Sequence, residues 1–325
     1  MRELKTIKEK VKKIKNTYKL ECLEVKDLNC ISNFIPFTTS EESLFFVDRG
    51  SRIGDSYPQG KIIGIDLGGI ECKKNILSNI EHFLLIPLCY IKEEKALIYT
   101  EKAGEKKTQL KKISIETLKD EKLFSTGLVE HFLYPISIKY FDSALFIVDF
   151  FKHKIKKFSL SGNLLQEIET WDGFEFPREI VKYDEDNVII VFDQDIRRKF
   201  QTKYSKGKKL YPTSFAKWNH KKNEIESIES DIDLDRYNDV IYSIIKTMKS
   251  EYFATTATGM LYKLDSAFNM IFKINFQRFI MKELGVSIAH IGGLDAYQEV
   301  INLSYYQDKM FAIFPSLKKV AIFNV

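Results

Sequence analysis

The feature that most constrains the fold of this chain is a repeat. Six times, a short polar turn leads into a strongly apolar run. The turns are residues 38–43, 92–95, 141–143, 184–187, 249–251 and 307–309. The runs after them, LFFVD, ALIYT, ALFIVD, VIIVFD, YFATTAT and MFAIF, begin at Leu44, Ala96, Ala144, Val188, Tyr252 and Met310, at intervals of 52, 48, 44, 64 and 58 residues. A third run follows in each unit, from Lys61, Leu110, Lys154, Met260 and Lys319, with SFAKWN from Ser214 filling that place in the fourth unit. Fourth runs follow in places, LLQEIE from Leu164 and MIFKINF from Met270. Alternation with period two marks a half-buried strand. Runs apolar on both faces mark strands covered on both sides.

Six units of about four strands, tens of residues apart, match the blades of a radial all-β architecture. The spacing predicts one six-bladed β-propeller over residues 18–325. The bias towards aromatic residues, 13% of the chain, suits strands. The sixth unit holds only three strands. The segment from Lys19 to Val25 alternates apolar and polar residues, so it is expected to supply the missing outer strand and cover an otherwise open edge. Ahead of it, Leu4, Ile7, Val11, Ile14 and Tyr18 recur at spacings of 3, 4, 3 and 4 among lysines. That seam predicts a short basic amphipathic α-helix over residues 1–17. So short a helix is not stable alone. It is expected to lie on the propeller's flank, against a partner, or on an anionic membrane surface.

The net charge of +5 is concentrated at the front. Residues 1–16 contain seven basic and two acidic residues, which leaves 43 of the 50 basic and 43 of the 45 acidic residues in the rest. A neutral body argues against a dedicated nucleic-acid binder, whose footprint is a basic excess. No apolar stretch is long enough to span a membrane, and no apolar core follows the basic start as in a secretory signal. Cys22, Cys30, Cys72 and Cys89 form no CxxC pair and read as reduced thiols. The expected compartment is cytoplasmic.

The third unit, YPISIKYFDSALFIVDFFKHKIKKFSLSGNLLQEI from Tyr134 to Ile168, has a Pro-led inner strand and a polar turn. An apolar strand ending in Asp follows, then a His, a basic–apolar strand and a Gly turn. In Pro135, Asp149, His153, Ile155, Phe158 and Gly162 it resembles the NHL repeat, with Lys152 in place of the usual Asn. The fourth unit keeps Pro177 and Asp193 without the His, and the first keeps Asp48 and Gly68 or Gly69. The resemblance implies the propeller fold. It also implies that Asp149 and His153 are structural, tying blade turns together.

Several residue groups are candidates for chemistry. The tetrapeptide Glu-His-Phe-Leu occurs twice, at Glu81 and His82 and at Glu130 and His131, each time ahead of an inner strand. Glu175 and Arg178 flank Pro177 ahead of a third. Imidazole and carboxylate at a channel mouth bind a divalent metal or move protons. Duplication of a packing solution reads the same residues without chemistry. The run from Asp231 to Tyr242 has alternate carboxylates like the start of a calcium loop. Arg236 stands where the turn needs Gly, and Tyr242 where it needs Glu. Arg197, Arg198, Lys199, Lys203, Lys208 and Lys209, interleaved with Phe200, Tyr204 and Tyr211, suit stacking on single-stranded bases. The same residues also suit a solvated hairpin, and acidic residues follow from Glu224.

No P-loop, GxGxxG, GxSxG or HExxH motif is present. The expected function is therefore a non-enzymatic scaffold with no cofactor. It presents one loop face to a protein or peptide, with Leu4, Ile7, Val11 and Ile14 as a second contact. Two alternatives remain: a metal-dependent lactonase or lyase with its site at the channel mouth, as in propellers this one resembles, and an RNA-binding NHL-like module.

Overall fold

The computed structural model describes residues 20–27, 34–40, 42–48, 59–66, 72–81, 87–104, 107–122, 132, 134–170, 176–193, 214–232, 234, 239–283, 301–314, 317 and 319–325. They form six four-stranded antiparallel sheets. Blade one is β2 (Phe34–Thr39), β3 (Ser43–Asp48), β4 (Gln59–Asp66) and β5 (Cys72–Glu81). Blade two is β6 (Leu88–Ile91), β7 (Ala96–Gly104), β8 (Lys107–Ser114) and β9 (Asp120–Lys122). Blade three is β10 (Pro135–Phe141), β11 (Ala144–Asp149), β12 (Lys154–Ser159) and β13 (Leu164–Glu169). Blade four is β14 (Pro177–Lys182), β15 (Asn187–Phe192), β16 (Phe215–Asn219) and β17 (Glu224–Ile228). Blade five is β18 (Ile241–Lys246), β19 (Tyr252–Thr256), β20 (Met260–Leu264) and β21 (Met270–Asn275). Blade six is β22 (Asn302–Tyr306), β23 (Lys309–Phe314), β24 (Lys319–Asn324) and, as its outer strand, β1 (Glu21–Asp27).

The first strands of the blades neighbour one another in a closed cycle, β2 to β6, β10, β14, β18, β22 and back to β2. The chain is a six-bladed β-propeller. The strand runs and turns expected from the repeat fall where the sheets place them, including SFAKWN as the third strand of blade four.

The described residues form no single central core. The apolar side chains sort into clusters that each fill the gap between two blades. The second strand of a blade serves both of its neighbours, because successive side chains point to opposite faces. On β11, Leu145 and Ile147 pack with Cys89, Ile91 and Ile98 of blade two. Ala144, Phe146 and Val148 pack with Val188, Ile190 and Phe192 of blade four. On β15, Ile189 and Val191 turn the other way to meet Ile244, Tyr252 and Ala254 of blade five. Blades six and one close the cycle through Phe311, Ile313, Val320 and Ile322 against Phe37, Leu44 and Phe46.

Because every sheet is antiparallel, the connections divide between two faces. One, the turn face, carries the hairpins between first and second and between third and fourth strands. Two of these are two-residue turns in which both residues have positive φ, Asp142 and Ser143 (52° and 56°) and Gln307 and Asp308 (45° and 59°). That backbone matches the twist of the flanking strands. The other, the connection face, is where second strands pass to third strands and each blade passes to the next. The segments joining strand ends there include 49–58, 123–131, 194–213 and 284–300, which lie outside the described residues.

One element was not expected from the sequence. Residues 276–283 form an α-helix, α1 (Phe276–Glu283), directly after β21. Phe276 and Ile280, one turn apart, are fully buried between blades five and six, beside Phe314 and Phe323. The expected helix over residues 1–17 lies outside the described residues.

β1 runs antiparallel to β24, with Glu21 opposite Asn324 and Asp27 opposite Lys319. A register shift between Cys22 and Glu24 leaves Leu23 bulged and exposed. Deleting residues 1–27 strips this strand from β24 and opens its edge. The expected result is a thermal midpoint lower by roughly 10 °C, from the loss of several net hydrogen bonds and their packing, together with self-association in size-exclusion chromatography. An unchanged midpoint would show that β1 contributes nothing to the ring.

Candidate functional site: the channel wall and the connection face

The channel wall is built from the inner strands, and its start is set by proline. Pro135 and Pro177 are the first residues of their inner strands, Pro87 stands just ahead of β6, and Pro36 is the third residue of β2. An inner strand has a partner on one side only, so a residue without an N–H is tolerated there. In blades three and four the register shifts just after the proline, between Pro135 and Ser137 and between Pro177 and Glu179. These shifts re-aim the next side chains.

All six inner strands, or the residues just ahead of them, line one cavity of about 40 Å³, bordered by Phe37, Leu88, Ser137, Glu179, Ser243 and Asn302 among others. That is room for about three waters and far below a ligand pocket of roughly 300 Å³. Its charged groups are engaged with each other. Ser137 Oγ of blade three donates to Glu179 Oε1 of blade four, and Lys139 Nζ lies 3.4 Å from Glu179 Oε2. The Ile180 N–H adds a 2.9 Å bond to Glu179 Oε1. Cys89, next to Leu88 on β6, packs between blades two and three. Burial pushes its thiol up to about 12, so it is a protonated packing group and no nucleophile.

Further polar ties cross the other junctions. Thr39 Oγ1 meets Ser304 Oγ at 2.8 Å between blades one and six. The Tyr90 N–H donates to Thr38 Oγ1 at 3.3 Å between blades two and one. The Leu303 N–H donates to Ser243 Oγ at 3.1 Å between blades six and five.

Asp149 and His153 tie turns at the connection face, as the resemblance implies, Asp149 within blade three and His153 across to blade four. The Asp149 carboxylate accepts the Tyr134 N–H at 2.9 Å, fixing the start of β10 to the end of β11. His153 holds a left-handed backbone, φ 52°, after a 3-10 turn over Phe150–Lys152. Its Nδ1 accepts the Phe176 N–H of the next blade at 2.9 Å, and its carbonyl accepts the Thr170 N–H at 2.7 Å. Beside this tie lies an aromatic patch. Phe151 is 46% exposed, with its ring 5.0 Å from both Tyr134 and Phe150. Phe150 continues inward to Phe176, which packs edge-on against His153.

Of the sequence candidates, Arg178 is placed in detail. Its guanidinium pairs with Asp193 and stacks 3.7 Å over the Tyr242 ring of blade five. Glu81 is the last residue of β5, the outer strand of blade one, opposite Gln59. His82, Glu130, His131 and Glu175 lie outside the described residues, as do Leu4, Ile7, Val11 and Ile14 and the basic residues Arg197, Arg198, Lys199, Lys203, Lys208 and Lys209. In the acidic run, Asp231 accepts the Met270 N–H at 2.6 Å, and Asp239 accepts the N–H groups of Val240 and Thr258 at 3.0 and 3.1 Å. Among the described residues, no three His, Cys, Asp or Glu side chains converge as a metal site needs, and no helix is long and apolar enough to cross a membrane. Sequence reasoning missed Ser137, Lys139 and Glu179. The signal lay in their place just after Pro135 and Pro177.

No protein-family model and no curated protein matches the chain. Several solved structures share its shape. A virginiamycin B lyase from Staphylococcus aureus superimposes with a TM-score of 0.55 at 10% identity, covering 94% of this chain and 100% of that one. A streptogramin B lyase gives 0.55 at 12% identity, covering 94% and 96%. A chain of a nidogen/laminin complex gives 0.51 at 13% identity, covering 80% and 88%. At these identities the likeness is one of fold.

The channel ion pair makes a graded prediction. Glu179→Ala removes the acceptor for Ser137, Ile180 and Lys139 together and is expected to destabilise by about 2–4 kcal/mol in urea unfolding. Glu179→Gln keeps an acceptor oxygen, so its expected cost is under about 1 kcal/mol. Equal losses in the two variants would contradict this account of the wall.

Proposed function

We propose that the chain is a non-enzymatic platform that binds a protein or peptide through its connection face, with Phe151 as an anchor. The observation that carries this reading is Phe151 itself. It is a large aromatic side chain nearly half exposed, held in place by Tyr134 and Phe150, on a turn that the blade-to-blade bond of His153 makes rigid. Aromatic side chains pre-ordered in this way are the usual centres of binding energy, because little entropy is lost when they are covered. The narrow, internally satisfied channel supports the same reading. Among the described residues, Lys139, Ser137 and Glu179 there hold blades three and four together. The partner surface expected opposite Phe151 is an apolar or aromatic side chain on an extended segment.

A second reading draws on the two lyases among the structures of similar shape. It makes His82, Glu130 and His131 ligands of a divalent metal at the channel mouth, with Glu81, at the end of the outer strand β5, as the weakest member of the set. Metal analysis of the purified chain separates the two. Stoichiometric zinc or calcium, lost in a His82→Ala/His131→Ala variant, favours the enzyme.

For the platform, the test is the affinity of an identified partner for the wild type, for Phe151→Ala, and for a variant with residues 194–213 replaced by a short Gly-Ser linker. Phe151→Ala is expected to weaken binding by about tenfold or more with an unchanged thermal midpoint. The linker variant is expected to weaken it further if that segment joins the contact. Unchanged affinity in both variants would overturn the assignment of the connection face.

A further inference from the structure

The junction between blades three and four contains a partly buried contact that the proposed function does not use. Lys157 projects from β12, and His220 follows β16 in the hairpin leading to β17. Lys157 Nζ lies 3.2 Å from His220 Nδ1. An ammonium has no lone pair, so Nδ1 must accept and the neutral ring must carry its proton on Nε2. The imidazole is only 6% exposed, packed 5.6 Å from Phe146 and 6.1 Å from Trp218. Lys157 itself sits 5.4 Å over the Phe146 ring. A proton on Nδ1 would break the bond and set two cations side by side in a partly buried site, where their repulsion is less screened than in water.

The acids that face this pair are already engaged. Asp142, from the blade-three turn, pairs with Lys182 of β14. Asp186, from the blade-four turn, pairs with Lys221 of the His220 hairpin. Asp184 accepts N–H groups from Asp186 and Asn187, and Glu185 presents its backbone carbonyl to the ring. His220 Nε2 is buried without a well-formed hydrogen bond, so that carbonyl compensates only in part.

We propose that Lys157 and His220 form a proton-sensitive latch between blades three and four, closed while the imidazole is neutral and released when the ring gains a proton. Ser137 to Glu179 in the channel and His153 to Phe176 on the connection face do not involve the pair, and Asp142 to Lys182 is the tie that stands beside it on the turn face. Release therefore loosens the outer side of the junction, where Gln166 Nε2 of β13 donates to Asn223 Oδ1 at 3.1 Å, with Asp142 and Lys182 still paired on the turn face. The inner ring stays intact and acts as the hinge.

Burial first, and the Lys157 charge second, hold the His220 imidazole below the usual value of 6.5, against the opposing pull of Asp186, Asp142 and the Glu185 carbonyl. A ring depressed in the folded state takes up its proton more readily once exposed. The latch therefore contributes its full stability above about pH 6.5 and loses it as the pH falls from there towards the folded value.

The test is hydrogen exchange of residues 154–169 and 215–228 in the full chain at about pH 7.5 and about pH 5.5, corrected for intrinsic exchange, with an NMR titration of the His220 ring. The ring is expected to titrate below 6.5. At acid pH the opened population should rise by up to about tenfold for each pH unit between the folded and exposed values. His220→Gln should abolish the rise. Lys157→Met should move the His220 titration upward and shrink the rise, and it carries the test should His220→Gln not fold. A ring that titrates at or above 6.5, or a pH-dependent rise that persists in His220→Gln, would overturn the latch.

Discussion

A strand that is apolar on both faces must be covered on both faces, and the structure follows from that requirement. β3, β11, β15, β19 and β23 each send alternate side chains into two different clusters. No sheet of this kind is finished with one neighbour, so the stacking continues until it returns to its start. Six blades close the cycle, and the Phe311 and Ile313 side chains that leave blade six meet Phe37 and Phe46 of blade one. Burying such side chains contributes about 1.5–3 kcal/mol each relative to exposure. The apolar contacts between blades are therefore the largest source of stability in the ring.

Packing of this sort is not directional, and polar groups at the junctions supply the direction. Hydrogen bonds such as Thr39 to Ser304, Phe176 to His153 and Leu303 to Ser243 fix how far one blade slides or tilts on the next. Glu179, Lys139 and Ser137 do the same at the axis. Among the described residues, Lys139 and Glu179 at the axis are thus committed to architecture. On the connection face, Phe151 stands beside the turn that His153 ties to the next blade.

Much of this architecture was legible in the sequence, for a physical reason. A strand with both faces buried is written as an unbroken apolar run, so LFIVD and VIIVF announce themselves, and the turns between them require polar residues. Asp149 and His153 were legible through the resemblance. α1 was not, because MIFKINF reads as a continuing strand and only the tertiary positions of Phe276 and Ile280 show a helical turn beneath them. Glu179 and Lys139 were not legible either. A charged residue in an alternating strand looks solvated until the ring brings a second inner strand against it. The same holds for Lys157 and His220, which are 63 residues apart and meet only because blades three and four stack.

The closed cycle rests on β1 lying beside β24, and one cross-link tests that directly. Glu21 stands opposite Asn324, whose amide donates to the Glu21 carboxylate at 3.2 Å. In a Cys22→Ser background, Glu21→Cys with Asn324→Cys places two thiols on facing strands within the reach of a disulfide. The account predicts a monomeric, intramolecular disulfide on mild oxidation, with a raised thermal midpoint that returns on reduction. Free thiols after oxidation, or disulfides only between molecules, would contradict it.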